Sequence, residues 1–168
     1  MEKRLSIILP VFNEKESLSV MVRLLNSYLK FDNEILIIYD DINDNSLPEA
    51  EVLEREFKNV RKLQNSKGKG VMNAVDTGIK ESKYDYILIT AVDEIFPIIA
   101  INEMLDLAIK NDFDFVSGTR YSKGGKRLGG SLIGSILSRT ANKLFNLLSN
   151  IPLTDCTTGI KLFKKRVW

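Results

Sequence analysis

The sequence predicts an α/β fold in which a mostly parallel central sheet carries helices on both faces. Short apolar runs of strand length alternate with segments of helical period across the first 115 residues. The strand-like runs are apolar on both faces, as strands covered from two sides should be. Size adds a third constraint. With 168 residues and 19.1 kDa the chain is long enough for one sizeable core and too short for two ordinary domains, so residues 1–168 are expected to form a single domain.

Each element has its own justification. Residues 4–11 (RLSIILPV), 34–39 (EILIIY), 84–90 (YDYILIT) and 113–117 (FDFVS) are rich in Ile, Val and aromatic residues, and 60–63 (VRKL) is a weaker strand candidate. Leu18, Met21, Val22, Leu25 and Leu29 follow helical spacing, with Asn13 and Glu16 placed as a capping box. Ser46 and Glu49 repeat that signature before Val52, Leu53 and Phe57, and Pro48 is tolerated in the first turn. Val71, Val75 and Ile79 mark a third helix; Ile101, Leu105, Ala108 and Ile109 mark a fourth. This alternation implies right-handed crossovers and a Rossmann-like sheet. Near Gly118 the composition changes to a basic, glycine-rich stretch over 120–134, followed by a helical pattern of Ile136, Leu137, Ala141, Leu144, Phe145 and Leu148. No internal repeat and no linker divides the chain.

Composition excludes several classes. Hydrophobic residues at 44% and charged residues at 27% fit a folded protein and not a disordered or collagen-like chain. The net charge of +2 conceals a division: residues 1–115 hold 14 Lys+Arg against 21 Asp+Glu, whereas residues 116–168 hold ten against one. There is no histidine, which removes the commonest general base, the commonest metal ligand and every Ser-His or Cys-His pair. Cys156 stands alone, excludes an intrachain disulfide, and reads as a small buried hydrophobe. No run of 18 apolar residues predicts a membrane span, and Leu5 to Val11 is too short for a secretory signal. The basic segment has few aromatics to stack bases, so nucleic acid is not an expected partner.

In open parallel sheets ligands bind beyond the carboxyl ends of the strands. Those positions are acidic here: Pro10-Val11-Phe12-Asn13-Glu14 after the first strand, Tyr39-Asp40-Asp41 with Asp44 after the second, and Ala91-Val92-Asp93-Glu94 after the fourth. Such carboxylates repel one another unless a cation or a donor-rich ligand joins them, and hard cations such as Mg²⁺ or Mn²⁺ prefer these oxygens. Asp40, Asp41 and Asp44 also suit turns and helix caps. Lys67-Gly68-Lys69-Gly70 precedes the third helix, where backbone N–H groups can meet an anion, although it fits neither a P-loop nor a dinucleotide fingerprint. Lys161, Lys164, Lys165 and Arg166 read as a solvated basic face.

Taken in order, these segments resemble glycosyltransferase family 2, with the GT-A fold, and within it the polyprenol (dolichol) phosphate mannose or glucose synthases. The likeness rests on Pro10, Phe12, Asn13 and Glu14; on Asp40, Asp41 and Asp44; on Gly68-Lys69-Gly70 with Asn73; on Gly118-Thr119-Arg120-Tyr121 with Gly124-Gly125; on Ser138-Arg139-Thr140-Ala141-Asn142; and on Asp155 through Phe163. Two departures stand out. The family's metal-binding D-x-D aligns with Ala91-Val92-Asp93, so its first Asp is missing, and the family's domain commonly continues beyond the point where this chain stops.

The resemblance implies an inverting hexosyltransferase that moves a sugar from a nucleoside diphosphate donor. Pro10, Phe12, Asn13, Glu14, Tyr39, Asp40, Asp41, Lys69, Gly70 and Asp93 would bind the nucleotide sugar, and Asp93 with Glu94 would hold Mg²⁺ or Mn²⁺. Asp93, Arg120 and Arg139 would be catalytic, and Arg120, Arg127 and Arg139 would hold the phosphate of a polyprenyl phosphate acceptor. Such a phosphate is already anionic at neutral pH and needs no general base, which suits a chain without histidine. The implied location is cytoplasmic, peripheral at the membrane face where the lipid resides. A soluble or cell-surface glycan acceptor and a non-catalytic nucleotide-binding module are the alternatives.

Overall fold

The computed structural model describes residues 3–122, 125, 132–149 and 151–168. In chain order the elements are β1 (Arg4–Val11), α1 (Lys15–Tyr28), β2 (Asp32–Tyr39), α2 (Leu47–Glu56), β3 (Val60–Gln64), α3 (Val71–Glu81) and β4 (Tyr86–Ile89). A 3₁₀ turn (Phe96–Ala100) leads into α4 (Ile101–Asn111), followed by β5 (Phe115–Ser117), α5 (Leu132–Ser149), β6 (Lys161–Lys164) and a last 3₁₀ turn (Lys165–Val167). The strands form one six-stranded sheet in the order β3-β2-β1-β4-β6-β5. β1 pairs in parallel with β2 and β4, and β2 with β3, whereas β6 runs antiparallel between β4 and β5. The mostly parallel α/β fold is thus as expected.

Alternation along the strands divides the core into two layers. Leu5, Ile7, Leu9, Ile35, Ile37 and Leu88 point to the face covered by α1, α2 and α4, where they meet Leu18, Met21, Leu25, Leu53, Ile101 and Leu105. Ile8, Leu36, Ile38 and Ile87 point to the other face and pack on Ala74, Val75 and Ile79 of α3. Close approach there needs a glycine: a Cβ on Gly78 would lie 2.7 Å from Cγ2 of Ile8, so α3 sits directly on β1. On α2, Leu53 is buried while the expected core residue Val52 is exposed, and Val71 of α3 is exposed as well.

The expected capping boxes at Asn13 and Ser46 do not form. Neither α1 nor α2 has a side-chain N-cap hydrogen bond. Asn13 adopts φ 58, and its side-chain oxygen accepts from the backbone N–H of Asn45 at 3.3 Å. Ser46 Oγ accepts from the Glu14 N–H at 2.8 Å. The capping groups therefore tie two loops together across the sheet edge and leave their own helices uncapped.

β6 was hidden in what reads as a solvated lysine face. Lys164 is in fact largely buried, its ammonium donating to Asp112 Oδ1 at 2.6 Å and pairing with Asp114 at 3.1 Å. Cys156 is only half-buried; its N–H and Sγ both reach Asn142 Oδ1, at 2.6 and 2.9 Å. No helix among the described residues is long and apolar enough to cross a membrane.

Candidate functional site

The topology brings the predicted motifs to one edge. β1, β2, β3 and β4 all end there, and because β2 lies on one side of β1 and β4 on the other, the chain reverses its winding between β1 and β4, the usual ligand crevice of open α/β sheets. β6 starts at this edge. Lys161 sits opposite both Ile89 and Ser117, so the 118–121 and 155–160 loops stand beside the 90–94 loop. The acidic and basic halves of the sequence meet at this line.

On the acidic side, Asp40 and Asp41 are built into a network. Asp40 accepts from Asn65 Nδ2 at 2.8 Å and from the Gly70 N–H at 2.7 Å. Asn65, absent from the expected site residues, also binds the Gly68 carbonyl at 2.7 Å and receives the Lys67 N–H and the Thr77 hydroxyl. It shapes the glycine loop, where Gly70 holds φ 129, a conformation that disfavours any side chain. Asp41 meets Lys69 at 2.6 Å. Lys69 and the Asn43 N–H together hold the Asp41 carboxyl at about 2. The expected repulsion between carboxylates is thus relieved for this pair from within the protein.

Lys69→Met should return the Asp41 carboxyl toward the ordinary value of about 4, read by carboxyl NMR titration. In the native chain this pairing contributes to the folded state above about pH 4, and the contribution is lost as pH falls through about 2. An unmoved Asp41 titration in the variant would refute the pairing.

Asp44 organises the first loop. Its Oδ1 accepts from the N–H groups of Asn13, at 3.1 Å, and Ser46, at 2.8 Å, while its buried Oδ2 has no partner among the described residues. This holds the left-handed Asn13 turn that presents Phe12, which is 70% exposed, and Glu14 at the edge. Pro10 and Tyr39 lie at the ends of β1 and β2, half-buried under these loops.

On the basic side, Arg120 is already engaged. Its Nε and Nη2 grip the carboxylate of Asp155 at 2.7 and 2.9 Å, its N–H adds a third bond at 3.2 Å, and Nη2 also reaches Thr157 Oγ1 at 2.6 Å. Burial alone would raise the Asp155 carboxyl. The Arg120 and Thr157 donors outweigh it and hold the group at about 2. Arg120 and Arg139 both lie over the Tyr121 ring, 5.2 and 5.4 Å from its centroid, and the Tyr121 hydroxyl donates to Ser138 Oγ at 2.7 Å. A cavity of about 460 Å³ opens between Tyr121, Arg139, Asn142, Lys143, Asn146 and Thr154. Arg127 lies outside the described residues.

The expected metal pair divides. Asp93 is exposed at the end of the 90–94 loop. Glu94 instead faces the basic side: a Cβ on Gly159 would lie 2.7 Å from its Oε2, and its charge reaches Arg120 and Lys161. Burial lowers the Lys161 ammonium, against the opposing pull of Asp155, Cys156 and Glu94. Among the described residues no cluster of three or more His, Cys, Asp or Glu side chains could hold a metal ion. With Ala91 at the first motif position, the 90–94 loop offers at most two carboxylates. That donor set fits Mg²⁺ or Mn²⁺ where substrate phosphates complete the shell.

This sheet order and ligand edge define a GT-A-type α/β domain. Two solved structures share it: the mannosyltransferase PcManGT from Pyrobaculum calidifontis in complex with GDP-Man and Mn²⁺, at TM-score 0.71 and 12% identity over 99% of this chain and 46% of that one; and glucosyl-3-phosphoglycerate synthase from Mycobacterium tuberculosis with Mn²⁺, UDP and phosphoglyceric acid, at TM-score 0.74 and 12% identity over 98% and 57%. The description Glycosyl transferase family 2 matches residues 6–168, and the chain belongs to that family. It is 33% identical over 124 residues to a dolichol-phosphate mannosyltransferase of Pyrococcus furiosus, covering 73% of this chain and 35% of that protein. It is 29% identical over 168 residues to the poly(ribitol-phosphate) beta-N-acetylglucosaminyltransferase TarP of Staphylococcus aureus, covering 98% and 50%. The chain thus spans half or less of the length of these two relatives.

Proposed function

We propose that this domain transfers a hexose, with inversion, from a nucleoside diphosphate sugar to a polyprenyl phosphate. The single observation that carries the reading is the antiparallel insertion of β6, which sets Lys161 and the Arg120-bearing 118–121 loop beside the acidic donor edge. Phe12, Asn13, Glu14, Tyr39, Asp40 and Asp41 would bind base and ribose beside the Lys69-Gly70 loop. Asp93 would hold Mg²⁺ or Mn²⁺ on the diphosphate, where a divalent ion offsets charge developing on the leaving group. The acceptor phosphate would sit in the cavity by Tyr121, held by Arg139 and Lys143. Arg120, locked to Asp155, would act through the Tyr121 ring that it covers rather than by binding the phosphate itself. An acceptor phosphate oxygen attacks the anomeric carbon as the bond to the donor diphosphate breaks, and the electron pair leaves with the nucleoside diphosphate.

The scarcity of bases supports a phosphate acceptor. A hydroxyl acceptor needs a carboxylate base on its side of the site; the lone acid of residues 116–168, Asp155, is buried and paired, which leaves Glu94 of the neighbouring loop. Similarity to TarP over nearly the whole chain favours a second reading, a glycan hydroxyl acceptor, for which Glu94 would be the base. Incubating the chain with UDP- and GDP-sugars, Mn²⁺ and a short, water-soluble isoprenyl phosphate separates the two. A sugar phosphodiester of inverted anomeric configuration, read by ³¹P and ¹H NMR, is the expected product. Transfer solely to a polyol-phosphate polymer would establish the second reading.

A further inference from the structure

We infer that the outward face of α5 docks the chain onto an anionic lipid bilayer, a proposal that rests on the lipid-phosphate acceptor above. The observation behind it is an inverted amphipathic helix. At about 100° per residue, Ile136, Leu137, Leu144, Leu147 and Leu148 fall on one stripe about 120° wide. In a soluble domain that stripe would face the core. Here all five are exposed, Leu147 and Leu148 by 79% and 76%. The opposite, polar face makes the contacts with the protein body: Asn142 is 3% exposed and receives the Cys156 N–H, half-buried Ser138 accepts from the Tyr121 hydroxyl, and Asn146, itself exposed, donates to the Leu153 carbonyl at 3.1 Å. The protein body thus binds α5 through hydrogen bonds and leaves its apolar side outward.

Charge favours a bilayer as the occupant. α5 carries Arg139 and Lys143 and no acid, and the sole acid of residues 116–168 is the buried Asp155. Exposed Lys143 stands one turn before Leu147, at the rim of the stripe, where an ammonium meets anionic headgroups. A helix of this type lies in the plane of the interface with its leucines below the headgroups. The Tyr121 cavity, lined from the same helix by Arg139 and Lys143, then opens at the level of a membrane-borne phosphate.

Flotation with vesicles of equal parts phosphatidylglycerol and phosphatidylcholine tests the surface. The 168-residue chain should bind, binding should fall at least tenfold for the triple variant Leu144→Ser, Leu147→Ser, Leu148→Ser, and vesicles of phosphatidylcholine alone should bind more weakly. Circular dichroism should be unchanged, because these side chains are already exposed. The variant should also keep native transfer to the water-soluble isoprenyl phosphate. Equal vesicle binding by variant and native chain overturns the docking face. So does a dimer of the native chain that the triple variant dissolves without any vesicle binding, which would assign the face to a second copy. If vesicle binding depends on the leucines but neither protein transfers sugar to the soluble phosphate, the acceptor reading fails and the docking face stands.

Discussion

Arg120→Ala is expected to destabilise the fold by about 3 kcal/mol and to abolish transfer. Asp155 has a fully buried side chain, and Arg120 supplies both arms of its bidentate pair. Removing one partner of a buried pair leaves an uncompensated charge, an effect of about 3–5 kcal/mol. The low end applies because the Arg120 backbone N–H and the Thr157 hydroxyl still reach the carboxylate. For a domain of this size the melting temperature should fall by about 6–12 °C. Arg120→Lys should recover only part of the loss, since an ammonium cannot reproduce the planar fork. The native pair contributes above about pH 4 and loses its contribution as pH falls through the folded value of about 2. In the alanine variant burial is less opposed, so the acid-sensitive limb should move to higher pH. A melting temperature within a degree of the native chain's would contradict the assignment.

Asp93→Asn should do the reverse, sparing the fold and removing activity. Asp93 is exposed at a loop tip, and substitutions at such positions are usually within about 0.5 kcal/mol. Its proposed task is to anchor a divalent ion on the donor diphosphate, a role worth several kcal/mol. At 1.36 kcal/mol per tenfold, transfer should drop by about a hundred- to a thousandfold with an unchanged melting curve. Glu94→Gln should have a smaller effect on phosphate acceptors, because Glu94 faces Gly159, Arg120 and Lys161. Native rates from Asp93→Asn would place the leaving-group chemistry elsewhere.

The sequence made the parallel half of the fold legible because runs such as Ile7-Ile8-Leu9 and Ile35-Leu36-Ile37-Ile38 are short, rich in β-branched residues and apolar on both faces, as covered strands are. β6 was not legible. Only Leu162 and Phe163 are apolar between Lys161 and Lys164, and the partners that accept Lys164 are Asp112 and Asp114, some 50 residues earlier. The site divides in the same way. Strand-end carboxylates such as Asp40, Asp41 and Asp93 follow from topology alone. The Arg120–Asp155 pair spans 35 residues and the Asp44–Asn13 bond 31, and neither is a local pattern. Periodicity revealed the apolar stripe of α5 but not that it faces outward, because a helical wheel does not say which side the protein occupies.

In the proposed function the acidic strand edge binds a nucleoside diphosphate through a metal held by Asp93. Titration calorimetry of the native chain and Asp93→Asn with UDP and GDP, each with and without Mn²⁺, measures it directly. The native chain should bind one of the two nucleotides, at least tenfold more tightly with Mn²⁺, and Asp93→Asn should lose the Mn²⁺ enhancement while keeping the metal-free affinity. Absence of nucleotide binding under either condition, or an enhancement that survives Asp93→Asn, would contradict it.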